Sequence, residues 1–146
     1  MVAKENGEWV VYEAYGKVQR VTLDAFWARS RAKQFGVYRL RDEHQPQVSA
    51  LLECIRSWVG KPYDERYRMD DETLYCSELI YKAWRQVAGE ELGKLKRLGD
   101  LNWKPYEATI RRIEGGPPPL DRLMITPRGL SEAKQLEHVR SFGVGR

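Results

Sequence analysis

The chain has 146 residues, 42% apolar and 11% aromatic, which is enough for a packed core and excludes a disordered or collagen-like polymer. Charged residues make up 32%, mean hydropathy is −0.65, and no apolar run approaches the ~18 residues of a membrane span, so no integral membrane segment is expected. Lysine and arginine total 25 against 21 aspartate and glutamate, a net charge of +4 with both signs interspersed, which permits an anionic partner without demanding one.

The length fits one domain over residues 1–146. The opening reads as a hairpin: Asn6-Gly7 is a strong turn signal between Met1–Lys4 and a strand over Trp9–Ala14. A turn at Tyr15-Gly16-Lys17 leads to Val18–Leu23, which alternates with period two. Asp24 is placed to cap a short helix from Ala25 to about Ala32, and Phe35–Leu40 reads as a further strand. Pro46 suits the first turn of a helix whose buried stripe is Val48, Leu51, Leu52, Ile55 and Val59, stopped at Gly60-Lys61-Pro62. Residues 64–73 are polar and irregular. Cys76, Leu79, Ile80, Ala83, Trp84 and Val87 then recur at helical spacing, which predicts an amphipathic helix with the cysteine in its first turn on the core-facing side. Leu123–Ile125 reads as a short strand, and Thr126-Pro127 as the cap and first residue of a terminal helix. The whole is an α+β domain, a small antiparallel sheet packed against helices.

The chemistry centres on the thiols. Two cysteines, Cys54 and Cys76, are too few for a disulfide framework and suit a reducing compartment. With no apolar leader at its start, the chain as given reads as cytoplasmic. Cys76, at a helix N-terminus, faces unpaired N–H groups and the positive end of the dipole, which favours the reactive thiolate and offers donors to an oxyanion. A buried structural thiol is the competing reading. Cys54 lies mid-helix beside the apolar stripe and reads as packing. Glu13, at the end of its strand, is a candidate to orient an imidazole, or simply a strand-end charge. A cysteine nucleophile needs a base, yet the two histidines, His44 before a helix and His138 on the terminal helix, have surroundings that argue only for capping and solvation. No metal cluster, phosphate loop or nucleotide motif is present, so no cofactor is implied. Lys94-Leu95-Lys96-Arg97 and Arg111-Arg112, with Trp103 and Tyr106 between them, are a weak nucleic-acid signal, outweighed by an ordinary solvated face.

The block Gly60-Lys61-Pro62-Tyr63-Asp64 with Tyr75-Cys76-Ser77-Glu78-Leu79-Ile80-Tyr81-Lys82-Ala83 resembles the YiiX/YaeF-like permuted papain-fold amidases, of the NlpC-type and lecithin-retinol-acyltransferase-like group. Val11-Tyr12-Glu13-Ala14 and Ile125-Thr126-Pro127 resemble the same family. The resemblance implies a circularly permuted papain-like fold, with Cys76 as nucleophile, Glu13 as the residue that orients the histidine, and Tyr63 and Tyr75 as aromatic residues beside the site, Tyr63 as an oxyanion or substrate donor. It also implies a His-x-Gly motif just ahead of the first strand. The chain starts after that position, so an N-terminally truncated domain is expected, inactive alone and prone to self-association through an uncovered sheet edge and Trp9. The implied activity is a thiol hydrolase acting on a small-molecule, peptide or lipid-linked amide or ester. A non-catalytic binding module and a lipid-directed thiol acyltransferase are the alternatives.

Overall fold

The computed structural model describes residues 1–30 and 34–143. Asn6 and Gly7 both take positive φ (49° and 85°), as a two-residue hairpin turn requires, and join β1 (Val2–Glu5) to β2 (Glu8–Tyr15). Gly16 turns β2 into β3 (Lys17–Thr22), completing an antiparallel sheet in the order β1-β2-β3. Strand alternation sends Val10, Tyr12 and Ala14 to one face. Helices α2 (Val48–Ser57) and α3 (Cys76–Ala88) cover that face with Leu51, Cys54 and Ile55 from one and Leu79, Ala83 and Trp84 from the other. Each large side chain buried this way contributes roughly 1.5–3 kcal/mol, so this contact between sheet and helices is the main source of stability. On the opposite face Trp9 is 52% exposed, on the strand beside the sheet's outer strand β1.

Several local expectations are corrected. Helix α1 (Leu23–Arg29) is capped by Thr22, whose hydroxyl accepts the Ala25 N–H at 3.1 Å, and Asp24 lies inside the first turn, facing the positive end of the dipole. The expected end near Ala32 lies outside the described residues. Pro46 sits in a 3-10 segment (Asp42–Gln47), and the α-helix begins only at Val48. Val59 is 48% exposed, because α2 ends at Ser57 before the stripe reaches it.

The larger correction concerns the C-terminal region. Thr126 caps and Pro127 opens α5 (Pro127–Ser131) as expected, but this helix is short, and Leu136–Phe142 is a strand, β7, carrying His138. It pairs antiparallel with β4 (Phe35–Leu40), Tyr38 opposite His138. The pairing satisfies backbone groups of β4 that no neighbour in sequence reaches. Between α3 and β7, β5 (Lys96–Arg97) and β6 (Leu123–Met124) form a two-stranded ribbon around a helix the sequence reading missed, α4 (Glu107–Glu114).

The segment after α2 is what positions the site. Gly60 N–H donates to Val18 O and Val18 N–H to Lys61 O, both at 2.8 Å, so residues 60–62 run beside β3. Tyr63 N–H then donates to Gly16 O (3.1 Å), which brings Tyr63 to the far end of the β2–β3 turn. Among the described residues no helix is long and apolar enough to cross a membrane.

Candidate active site

Residues 62–74 form a loop closed at its base: Leu74 N–H donates to Pro62 O (3.0 Å) and Asp64 N–H to Leu74 O (3.3 Å). That closure brings Tyr63 next to Tyr75 and Cys76. Inside the loop, the buried Asp64 carboxylate accepts the backbone N–H groups of Arg66 (2.9 Å) and Arg68. Asp70 accepts those of Glu72 (3.1 Å) and Thr73 (3.0 Å). The loop holds Tyr67 and Met69 at φ 55° and 58°, a region costly for bulky side chains and tolerated where surrounding bonds enforce it. The Tyr67 ring packs edge-on against Tyr75 (4.8 Å) and Tyr63 (6.4 Å). Lys82 of α3 fastens the far end of the loop, donating to Asp70 O and pairing with Asp71 (3.1 Å) and Glu78 (3.0 Å).

Cys76 is the first residue of α3 and is exposed, which overturns its expected core-facing position. The neighbours that aim the first turn explain why. Ser77 Oγ donates to Ile125 O (2.8 Å), and the fully buried Glu78 carboxylate accepts the Tyr75 N–H (3.1 Å). A helix advances about 100° per residue. Turning Ser77, Glu78 and Leu79 inward therefore points Cys76 out. Burial pushes the Glu78 carboxyl up, opposed by Lys82 and by the Tyr75 N–H. Cys54 is buried in the core as expected, and burial pushes its thiol up.

The two tyrosines separate. Tyr75 is buried, and its hydroxyl accepts the Ile125 N–H at 2.9 Å, an internal anchor rather than a group facing a cleft. Burial pushes its ionisation up. Tyr63 is half-buried and its hydroxyl lies beside the Cys76 thiol. Its ionisation is pushed strongly upward, first by burial, then by the Tyr67 hydroxyl at 3.5 Å and the neighbouring Cys76. It therefore remains a protonated donor next to the sulfur.

Glu13 does not reach freely into water. Both its oxygens take the Arg29 guanidinium (2.6 and 2.7 Å), and Gln19 donates to one of them (2.9 Å), so it ties β2 to α1. His44 lies edge-on to the Trp84 ring (5.2 Å), half-buried rather than simply exposed. His138 is exposed, packs edge-on to Tyr38 (5.2 Å) and bonds Ser141 Oγ (2.9 Å). Neither hydrogen-bonds the Cys76 thiol.

Two clefts lie at the site, one holding Cys76 and the other reaching the thiol's surroundings through Tyr63. One, of about 480 Å³, contains Cys76 itself with Gly36 and Tyr38 of β4, Pro127 and Leu130 of α5, and Leu136 of β7. The other, of about 640 Å³, is lined by Tyr63, Glu65, Arg66, Tyr67, Arg112 and Ile113. The sequence reading missed the walls from β4 and α4. A usable signal was Gly36: a glycine inside a strand marks close approach, and a Cβ there would lie 2.9 Å from the Tyr38 ring that folds over it.

Residues 1–140 match the family described as permuted papain-like amidase enzyme, YaeF/YiiX, C92. The chain belongs to this amidase family. Among similar proteins, YiiX of Escherichia coli (strain K12) is 27% identical over 142 residues, 95% of this chain and 70% of YiiX. The crystal structure of the metalloprotein yiiX from Escherichia coli O157:H7 superposes with a TM-score of 0.89 at 25% identity, covering 97% of this chain and 81% of that one. The permuted papain-like fold that the resemblance implied is thus the fold of this chain, its small antiparallel sheets packed by helices.

Proposed function

We propose that the chain is the scaffold of a thiol hydrolase in which Cys76 attacks the carbonyl carbon of an amide or ester. The observation that carries this is the exposed thiol at the start of α3, lining one cleft, with the Tyr63 hydroxyl beside it lining a second. Sγ forms a bond to the carbonyl carbon, and the electron pair moves to the carbonyl oxygen. The Cys76 backbone N–H and the Tyr63 hydroxyl are the donors for that oxyanion. Collapse breaks the C–N or C–O bond, the leaving group takes a proton, and water then cleaves the thioester to regenerate the thiol.

The proton for the leaving group requires a base–acid pair. His44 packs on Trp84 and His138 on Tyr38 and Ser141, and neither hydrogen-bonds the Cys76 thiol, so we assign the imidazole to an upstream segment. Continued ahead of Met1, the β1–β2 register would bring residues opposite Glu13, Ala14 and Tyr15. That is the end of β2 next to the Gly16 turn on which Tyr63 is hung. Glu13 would orient such a histidine, directly or through Arg29. Residues 1–146 alone then retain a reactive thiol with little turnover. That neither histidine bonds the thiol is equally the observation that favours a binding module as the second reading. Among the described residues no three His, Cys, Asp or Glu side chains are grouped as ligands for a metal ion.

Brief substoichiometric iodoacetamide at a pH of roughly 6.5 with peptide mapping tests the nucleophile. Cys76 should label and Cys54 should not; preferential labelling of Cys54 defeats the assignment. An extended protein carrying an upstream histidine should hydrolyse an activated ester, and a Cys76-independent rate would leave the binding module as the better reading.

A further inference from the structure

The cleft on the Tyr63 side of Cys76 carries charge that the acyl chemistry above does not use. Its lining holds two arginines, Arg66 and Arg112, against one carboxylate, Glu65. The other acidic groups nearby are already committed. Glu114, at the end of α4, is gripped by both guanidinium nitrogens of Arg122 (2.5 and 3.0 Å). Asp70 pairs with Arg68 (3.1 Å) and Glu107 with Arg111 (2.8 Å), while Asp64 accepts backbone N–H groups. Among the described residues no carboxylate lies within ion-pair distance of Arg66 or Arg112.

Two guanidinium groups at the rim of a substrate-sized cleft, neither in an ion pair among the described residues and Arg66 only in the longer-range field of the Arg122-bound Glu114, suit one class of ligand. Their planar forks match the paired oxygens of a carboxylate or a phosphate. The wall that presents Arg66 is set in advance. Asp64 holds the Arg66 and Arg68 N–H groups, Tyr67 is fixed at positive φ, and Arg122 donates to Arg66 O. A wall ordered before binding loses less entropy when the ligand arrives. The cleft that holds the thiol is walled mainly by Tyr38, Pro127, Leu130 and Leu136, with Arg128 at its edge.

We propose that the cleft of Tyr63, Tyr67, Arg66 and Arg112 is a recognition subsite for an anionic end group, carboxylate or phosphate, on an amide or ester whose apolar acyl part lies in the cleft that holds Cys76. It rests on the reading of Cys76 as nucleophile for which bond is cut. Binding of the anionic end stands on the cleft itself. Arg66 and Arg112 are then the residues that set specificity, and Glu65 works against them.

The test is equilibrium binding to the full chain carrying Cys76→Ala, so that no chemistry intervenes. The probes are N-octanoyl-4-aminobutanoate, its neutral carboxamide, and N-octanoyl-3-aminopropyl phosphate. An anionic probe should bind about tenfold tighter than the carboxamide at low salt, with the preference shrinking at an ionic strength of ~0.5 M. Whichever anion binds tighter identifies the end group. Arg66→Gln with Arg112→Gln should abolish the preference, and Glu65→Gln should raise it. These side chains are exposed, so the variants should fold, and circular dichroism checks that they do. Equal affinity for all three probes, or a preference that survives the double arginine variant, overturns the proposal. Failure of Cys76 to alkylate in the separate labelling experiment would remove the nucleophile and leave this binding series to be read unchanged.

Discussion

Deleting a single oxygen at Tyr75 separates an anchoring role from a catalytic one. Tyr75 is 1% exposed, and its hydroxyl accepts the N–H of Ile125, itself 1% exposed, at 2.9 Å. In Tyr75→Phe the ring still fills its place against Tyr67, but a buried backbone donor loses its acceptor. Such a loss costs about 1–3 kcal/mol. For a domain of this size each kcal/mol shifts the midpoint by roughly 3 °C, so Tm should fall by about 3–10 °C. Tyr63→Phe is the control. Among the described residues its hydroxyl hydrogen-bonds a protein oxygen only at Tyr67, at 3.5 Å, the outer limit of hydrogen bonding, so its Tm should move by less than about 2 °C. Reactivity should divide the other way. Tyr63→Phe alters the surroundings of the sulfur and should change the rate at which Cys76 is alkylated. Tyr75→Phe should leave that rate within about twofold once measured well below its Tm. Thermal unfolding by circular dichroism, alongside timed iodoacetamide labelling, reads both quantities. If Tyr75→Phe melts with the parent while Tyr63→Phe is destabilised, the division of labour between the two tyrosines is wrong.

Other substitutions probe the frame around the site. Glu13→Ala releases Arg29 from a two-oxygen grip that is partly shielded from water; a loss of about 1 kcal/mol is expected after discounting for solvent screening, seen as a small drop in the urea midpoint. In a histidine-bearing extended protein the same change should also lower turnover, and full activity there would reduce Glu13 to a structural clamp. Gly93→Ala should be far more damaging than Gly7→Ala. Both glycines have φ 85°, but a Cβ at Gly93 would sit 2.3 Å from Gly129 O, whereas Gly7 faces open space. Equal denaturation midpoints would contradict that contact. The Glu5 carboxyl is held down to about 2, first by Arg20, then by Arg56 and Tyr12. Its stabilising effect is therefore complete above its ordinary value of 4.5 and fades as pH falls from there towards 2. Glu5→Gln should flatten acid unfolding in that window, and an unchanged acid profile would argue against the pairing.

Local rules carried a good part of this molecule. Asn6-Gly7 and Gly16 set the first two turns because few other residues accept positive φ, and alternation marked β3 as a strand. The stripes on α2 and α3 announced their helices, Thr126-Pro127 opened α5, and Cys54 was legible as packing. The family was legible as well, since its block around Cys76 is local. What the sequence alone did not determine depends on partners distant in the chain. His138 is on a strand because β4, about a hundred residues away, supplies its hydrogen bonds. Cys76 faces out because Ile125 and Lys82 hold the rest of its helical turn inward. The resemblance placed Tyr63 and Tyr75 both beside the site with Tyr63 as the donor, but that Tyr75 is an internal anchor is decided by its burial and by the Ile125 N–H. Periodicity reports which side of an element is apolar. Which way a polar residue at the end of that element points is decided by the hydrogen bonds that neighbours from elsewhere in the chain offer, and those come into being only when the chain folds.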